Sequence, residues 1–351
     1  MITKTQVFDD TYFPRRLRHR EAEMDFVTNA FEPAVRGQQA DDVLIHGPQG
    51  VGKTILARYA LNHLTQRTAV QHARIGCLGK STAGIVRTVL EDLPGPDPHS
   101  TMPREDLCLE LQERVDEPTI VVLDEADDLP FTDALGRLAD VDGLSMVVVC
   151  HDDDGWLSHV DDSIRHRFVG NIVELGTYGV DELADILEER RQVGLEPGVI
   201  DEDQLRTLAD MTAGKARRAI FALRAAAELA HDRRHREIRS EDIDDSLDRA
   251  DQRLRQEHLA SLPYHHHVVY EIVRRHGPLT SSELHDTYER TAESLYQSTE
   301  QTPIGERARR NKLSKLEAYD MIEVLGENRH REYQVCDTEV KSELEFRIRA
   351  T

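Results

Sequence analysis

Short, unbroken apolar runs alternate with helical patterns through the first half of the chain. Asp42 to His46 reads as a buried strand ending at a glycine-rich turn, and Ile55 to Thr65 follows with helical periodicity. Val70–Cys77, Thr119–Leu123, Leu144–Cys150 and Asn171–Leu175 are four further candidate strands, and Pro94–Pro98 is a surface loop by its turn residues. Runs without alternation suit strands of a parallel sheet covered on both faces. Strands separated by helices define a doubly wound α/β domain. After Leu175 the strand pattern stops. Asp181–Arg191, Asp201–Met211 and Lys215–His231 are spaced as helices, and Ser240 is placed to cap another. Leu262-Pro263 opens a third unit with helices at Tyr264–Arg275, Ser281–Tyr288 (capped by Thr280) and Gly305–Tyr319. Two strands, Ile322–Leu325 and Arg331–Val335, flank Gly326-Glu327-Asn328, which completes a winged helix-turn-helix pattern. The expected organisation is an α/β base over 1–175, an all-helical lid over 176–258, a winged helix over 259–340 and a tail over 341–351.

Charge changes this picture in two ways. Among 351 residues, 66 acidic side chains stand against 44 basic ones, a formal charge of −22. Such an excess repels nucleic acid at long range and favours solubility. Only seven of the basic residues are lysine and the other 37 are arginine, a composition like that of proteins from salt-loving archaea. The four cysteines form no CxxC pair, so neither a zinc site nor a disulfide framework is expected. Met1–Asp10 has no apolar run of the signal-peptide kind, and no stretch reaches 18 apolar residues. A cytoplasmic, nucleoid-associated protein with no membrane partner is therefore expected.

Gly47-Pro48-Gln49-Gly50-Val51-Gly52-Lys53-Thr54 has the G-x-x-x-x-G-K-T spacing, after a strand and before a helix. Glycines let the backbone curl until its N–H groups face phosphates. Lys53 is the residue expected on the β and γ phosphates of ATP, and the Thr54 hydroxyl on Mg²⁺. Gly47, Gly50, Val51, Gly52 and Ile55 belong to the same nucleotide-binding segment. Leu123-Asp124-Glu125 ends an apolar strand as a Walker B motif does: Asp124 is the second expected Mg²⁺ group, and Glu125 the general base for the attacking water. The strand Ser145–Cys150 runs into His151, for which two readings stand: a neutral donor that positions the water, or an exposed loop histidine.

With these motifs in order, the chain resembles the archaeal origin-recognition and cell-division-control type of AAA+ replication initiator. Tyr12-Phe13-Pro14 with Leu17-Arg18-His19-Arg20-Glu21 is similar to the family's opening, which packs near the adenine. Tyr178 and Arg190 match a pair the family assigns to nucleotide binding. Gly214-Lys215-Ala216-Arg217-Arg218-Ala219 resembles sensor 2, with Arg217 at the arginine expected on the γ-phosphate. Leu262-Pro263-Tyr264-His265 resembles the entry to the winged helix. The resemblance implies an AAA+ base, a helical lid and a winged helix. It departs from the family at sensor 1, where His151 replaces the usual Asn. It departs again at the arginine-finger segment, Asp161-Asp162-Ser163-Ile164-Arg165, leaving Arg165 or Arg167 for that role.

The third helix of the last unit is basic. Arg307, Arg309, Arg310, Lys312 and Lys315 oppose Glu306 alone over 305–315, although 263–335 as a whole carries ten basic and twelve acidic residues. Such a helix suits a major groove, with Arg329 and Arg331 of the hairpin in a neighbouring minor groove. A solvated helix face and a protein-contact surface are the other readings. The family's second DNA contact falls on Gly79–Leu93, which here offers only Lys80 and Arg87. His265-His266-His267 points in different directions on a helix, so a helix-surface reading is preferred to a metal site. The expected function is an ATP-dependent initiator with slow ATP turnover. Its expected partners are double-stranded origin DNA, the replicative helicase, and further copies or paralogues on DNA. A clamp-loader-like or other AAA+ ATPase, and a non-hydrolysing DNA-binding regulator, are the alternatives.

Overall fold

The computed structural model describes residues 1–129, 133–297, 299, 301–326 and 331–342. The chain divides into two compact units, Met1–Asp244 and Asp245–Thr351. Five strands form one parallel sheet in the first unit: β1 (Val43–His46), β2 (Gln71–Gly76), β3 (Thr119–Asp124), β4 (Leu144–Val149) and β5 (Ile172–Glu174). Their spatial order is β2-β3-β4-β1-β5. Successive side chains of a strand point to opposite faces, and both faces are covered. Leu44, Val121, Leu123, Met146 and Val148 join one buried cluster with the helix Thr82–Asp92. Val43, Ile45, Ile120, Val122, Val147 and Val149 join another with the helix Lys53–Thr65. This explains why β1, β3 and β4 read as continuous apolar runs, while the edge strand β2 alternates.

The lid continues in the same unit as the helices Val180–Gly194, Glu202–Met211, Ala216–Asp232 and Ser240–Asp244. Asp201 opens the second with a reciprocal cap: its carboxylate accepts from the Gln204 N–H at 2.8 Å, and the Gln204 side chain accepts from the Asp201 N–H at 3.0 Å. The N-terminal segment packs on the lid. Phe8 is fully buried, and a Cβ on Gly194 would lie 2.7 Å from its ring.

The second unit contains the helices Ser246–Ser261, Tyr264–His276, Ser281–Tyr296 and Glu306–Ala318. Its antiparallel sheet is β6 (Leu279–Thr280), β7 (Ile322–Leu325) and β8 (Glu332–Val335), in the order β6-β8-β7. The helix Ser246–Ser261 lies wholly on the C-terminal side of the division at 244/245, so the expected lid boundary at 258 falls inside it. Arg255 donates to the Asp320 carbonyl at 2.9 Å, and the His258 ring rests 4.8 Å from that of Tyr319. The second helix runs eight residues beyond the expected end, because Ala292, Leu295 and Tyr296 prolong the buried stripe of Leu284 and Tyr288. The histidine triplet is not a helix surface. His266 and His267 are buried, since the helix Tyr264–His276 is covered nearly all round. Burial pushes the His266 imidazole down to about 3, so it is neutral. Among the described residues, no group of side chains is arranged to hold a metal ion, and no helix is long and apolar enough to cross a membrane.

Candidate nucleotide site

β1 ends at His46, and the chain turns at once through Gly47 (φ 141°), Gly50 (φ 80°) and Gly52 (φ 97°) into the helix that begins at Lys53. These positive φ values curl the chain tightly into the helix, and only glycine holds them without strain. Gly47 is also a close approach: a Cβ there would lie 2.2 Å from the Leu175 carbonyl oxygen. Gly47→Ala is therefore expected to cost on the order of 2 kcal/mol or more and to abolish nucleotide binding. Urea denaturation and nucleotide titration of the variant check this.

Lys53 is buried, and its ammonium donates to the carbonyls of Gly47 (2.7 Å) and Pro48 (2.9 Å). Burial lowers its pKa, opposed by the negative charges of Asp127, Asp124 and Glu125. The Thr54 hydroxyl donates to Asp124 Oδ1 at 3.1 Å, and the Glu125 N–H donates to the same oxygen at 3.1 Å. Burial pushes the Asp124 carboxyl above its usual range, and the hydrogen bond from Thr54 works against it. The Lys53 ammonium, the Thr54 hydroxyl and the half-buried Asp124 carboxylate stand together at the glycine turn, a set that fits a phosphate chain with a divalent cation. Val51 is fully buried and Ile55 half-buried, so both support the loop from beneath.

His151 lies beside this group. Its carbonyl accepts from the Gly47 N–H at 3.3 Å, and its Nδ1 is 2.7 Å from Asp127 Oδ2. Its main-chain N–H donates to both Asp127 oxygens at 3.1 Å. Burial would raise the Asp127 carboxyl, but the hydrogen bonds from His151 hold it below its usual range. Asp127 escaped the sequence reading, although it stands three residues after Asp124 and completes an Asp-Glu-x-Asp pattern.

The lid supplies the other side. The Arg217 N–H donates to the Gly50 carbonyl at 3.2 Å, and the Arg217 Cβ is 3.5 Å from where a Gly50 Cβ would stand. Tyr178 is buried, with its hydroxyl 3.5 Å from a Cβ placed on Gly52. The Arg20 guanidinium, part of the opening segment that resembles the family's, lies 4.1 Å over its ring and donates to the Gly176 carbonyl. Arg190 is turned to the N-terminal segment instead. It donates to the Val7 carbonyl at 3.1 Å and covers the Tyr12 ring at 4.2 Å.

Of the remaining expected residues, Arg167 and Arg309 are corrected. Arg167 sits at the opposite end of β1 from the P-loop, bonded to Asp42 and to the carbonyls of Ala139 (3.1 Å) and Leu144 (3.3 Å). That makes it a brace between strands, not a finger. Arg165 donates to the carbonyls of Leu157 (3.0 Å) and Val160 (3.3 Å) and to Asp162 (2.8 Å), and remains partly exposed. Arg309 is buried on the stripe it shares with Leu313 and Leu316. Its guanidinium donates to Glu289 (2.7 Å) and the Ile304 carbonyl (3.0 Å), and covers the Tyr288 ring at 4.4 Å. It therefore holds helices together and is not offered to a groove. Arg307 and Arg310 are exposed, with Arg310 paired to Glu306. Lys312 is half-buried, Lys315 lies 4.4 Å over the Tyr319 ring, and Arg331 is exposed. Arg329 lies outside the described residues. In the first unit Arg87 is spent on the carbonyls of Pro98, His99 and Met102, and Lys80 on the Thr88 hydroxyl.

A P-loop on a five-stranded parallel sheet, a Walker B strand, and a helical lid bonded to the loop define an AAA+ ATPase. A model of the AAA ATPase domain matches residues 16–149, and a model of the Cdc6 AAA+ ATPase-type lid domain matches residues 184–248. ORC1-type DNA replication protein 9 of Halobacterium salinarum is 32% identical, over 97% of this chain and 96% of its own. The chain belongs to the ORC1-type DNA replication protein family. Its fold matches the structure of the Aeropyrum pernix ORC1 protein in complex with DNA, with a TM-score of 0.75, 24% identity, and 95% and 93% of the two chains covered. It also matches the Aeropyrum pernix ORC2 protein in ADPNP and ADP complexes, with a TM-score of 0.62, 19% identity, and 96% and 95% covered.

Proposed function

We propose that the chain is a replication initiator that binds duplex origin DNA through its C-terminal unit and uses ATP binding and slow hydrolysis as the switch. The observation that carries this reading is the hydrogen bond from the Arg217 main chain to Gly50, which puts a lid arginine at the P-loop. Lys53 would hold the β and γ phosphates against the N–H groups of the loop. Mg²⁺, held by Thr54 and Asp124, would neutralise charge on the phosphate oxygens. Glu125 takes the proton of the attacking water, and His151, fixed by Asp127, orients that water. Tyr178 closes the nucleotide on the lid side, with Arg190 holding the adjoining N-terminal segment. Arg165 is the finger left for a neighbouring copy, since Arg167 is committed to Asp42.

Three helices and the β7–β8 hairpin support a winged helix. Its DNA-facing groups would be Arg307, Arg310, Lys312, Lys315 and Arg331, together with Arg329, which lies outside the described residues. The ORC1 protein of Aeropyrum pernix was solved on DNA, which favours this reading. Recruitment of the replicative helicase, assembly with further copies on DNA, and action in the cytoplasm at the nucleoid complete the proposal. Footprinting at high KCl on duplexes from the source genome tests it, comparing the wild type with an Arg307→Ala/Arg310→Ala variant. A specific protected sequence is expected, weakened at least about tenfold in the variant with ATP turnover intact. Absence of any specific protection, with or without ATP, would make the C-terminal unit a protein interface.

A further inference from the structure

Arg217 is anchored at the P-loop through its main chain, yet its guanidinium is engaged by a carboxylate from the N-terminal segment. Nε donates to Asp10 Oδ1 at 2.9 Å, and Nη2 to Asp10 Oδ2. Two oxygens meeting two N–H groups make the fork by which arginine binds carboxylates and phosphates alike. Asp10 is not there by chance of a mobile tail. On one side Asp9 accepts from Arg224 at 2.8 Å, Phe8 is fully buried, and the Val7 carbonyl accepts from Arg190 at 3.1 Å. On the other, Tyr12 lies under Arg190 at 4.2 Å, and Phe13 stacks on Tyr59 of the P-loop helix at 5.0 Å. The segment crosses from lid to base between Tyr12 and Phe13, two to three residues after Asp10. Asp10 itself is 40% exposed, so its carboxylate can exchange Arg217 for water at small cost.

We propose that Asp10 is a specificity-determining residue for the nucleotide: its carboxylate competes with the γ-phosphate for Arg217. This rests on the reading of Arg217 as the residue that meets the γ-phosphate. ADP brings no such group and leaves the Asp10–Arg217 pair in place. ATP must displace Asp10, which lowers its affinity and, in the same step, releases the N-terminal segment from the lid at that point. A competitor that opposes one ligand and not the other is a coupling between two binding events, and such couplings commonly span about 5- to 150-fold in affinity.

The test is titration of the full chain with ADP and with ADPNP, in the wild type and in Asp10→Asn, Asp10→Glu, Asp9→Asn, Arg217→Ala and the Asp10→Asn/Arg217→Ala pair. Asp10→Asn is expected to tighten ADPNP about tenfold and to leave ADP unchanged. Asp10→Glu keeps the wild-type ratio, Asp9→Asn moves neither ligand, and the double variant behaves as Arg217→Ala. Asp10→Asn shifting both ligands equally would reduce Asp10 to a structural contact and overturn the proposal. So would Asp10→Asn without effect where Arg217→Ala abolishes the preference for ADPNP. If Arg217→Ala leaves the ADPNP:ADP ratio at its wild-type value, the reading of Arg217 fails first and the proposal with it.

Discussion

Glu125→Gln stops ATP turnover while ATP stays bound, with an expected fall in rate of about 10²- to 10⁴-fold. The substitution keeps size and shape and removes the basic oxygen. Glu125 stands at the end of β3 with a left-handed backbone (φ 55°), its N–H bonded to Asp124 Oδ1. A non-glycine residue held there is costly unless its surroundings fix it, and the bond to Asp124 and the helical turn Ala126–Asp128 that follows do so. Lys53, Thr54 and Asp124 are untouched, so nucleotide affinity is expected within a few-fold of the wild type. Phosphate release in single turnover, with titration of ADPNP, separates the two quantities. Equal and negligible turnover in both proteins would make the chain a nucleotide-holding regulator.

The P-loop and Walker B were legible because their chemistry is local. Glycines, lysine and threonine at fixed spacing act through backbone geometry that neighbouring residues dictate, and the apolar strands on either side announce where the loop must sit. Residues whose role depends on a distant partner were not legible. Asp10 meets Arg217 across 207 positions and Asp42 meets Arg167 across 125, and neither pairing leaves a mark in spacing. Asp127 was within reach, since it completes a pattern with Asp124 and Glu125. The basic helix was read by charge alone, which hid the helical period. Arg309, Leu313 and Leu316 are spaced i, i+4, i+7, the stripe of a core-facing helix, so Arg309 belonged with the apolar residues. The histidine triplet misled for the same reason. Polar type suggested surface, but the Val268, Val269, Ile272 and Val273 that follow make a helix covered on nearly every side.

Arg309→Ala is expected to destabilise the C-terminal unit by about 2–4 kcal/mol, a loss of structure and not of a DNA contact. The side chain is nearly inaccessible at 3% exposure, so its charge is tolerated only because partners meet it on several sides. Glu289 takes the charge, the Ile304 carbonyl accepts a second N–H, and the Tyr288 ring offers its face. His285 Nδ1 lies 3.2 Å from Nε. Glu289 itself is two-thirds exposed, so truncation of Arg309 strands no buried carboxylate, which keeps the cost below that of a fully buried pair. What is lost is the packing of the arginine stem between the helices Ser281–Tyr296 and Glu306–Ala318, together with the cover over Tyr288. Arg310, one residue on, is 62% exposed and, among the described residues, its side chain pairs with Glu306 of its own helix turn; its removal is expected to cost under about 0.5 kcal/mol. Hydrogen exchange of the full chain checks the contrast. Arg309→Ala is expected to speed exchange across both helices, and Arg310→Ala to leave it unchanged. Equal protection in the two variants would return Arg309 to the surface, and would make any DNA affinity lost by Arg309→Ala a lost contact with DNA.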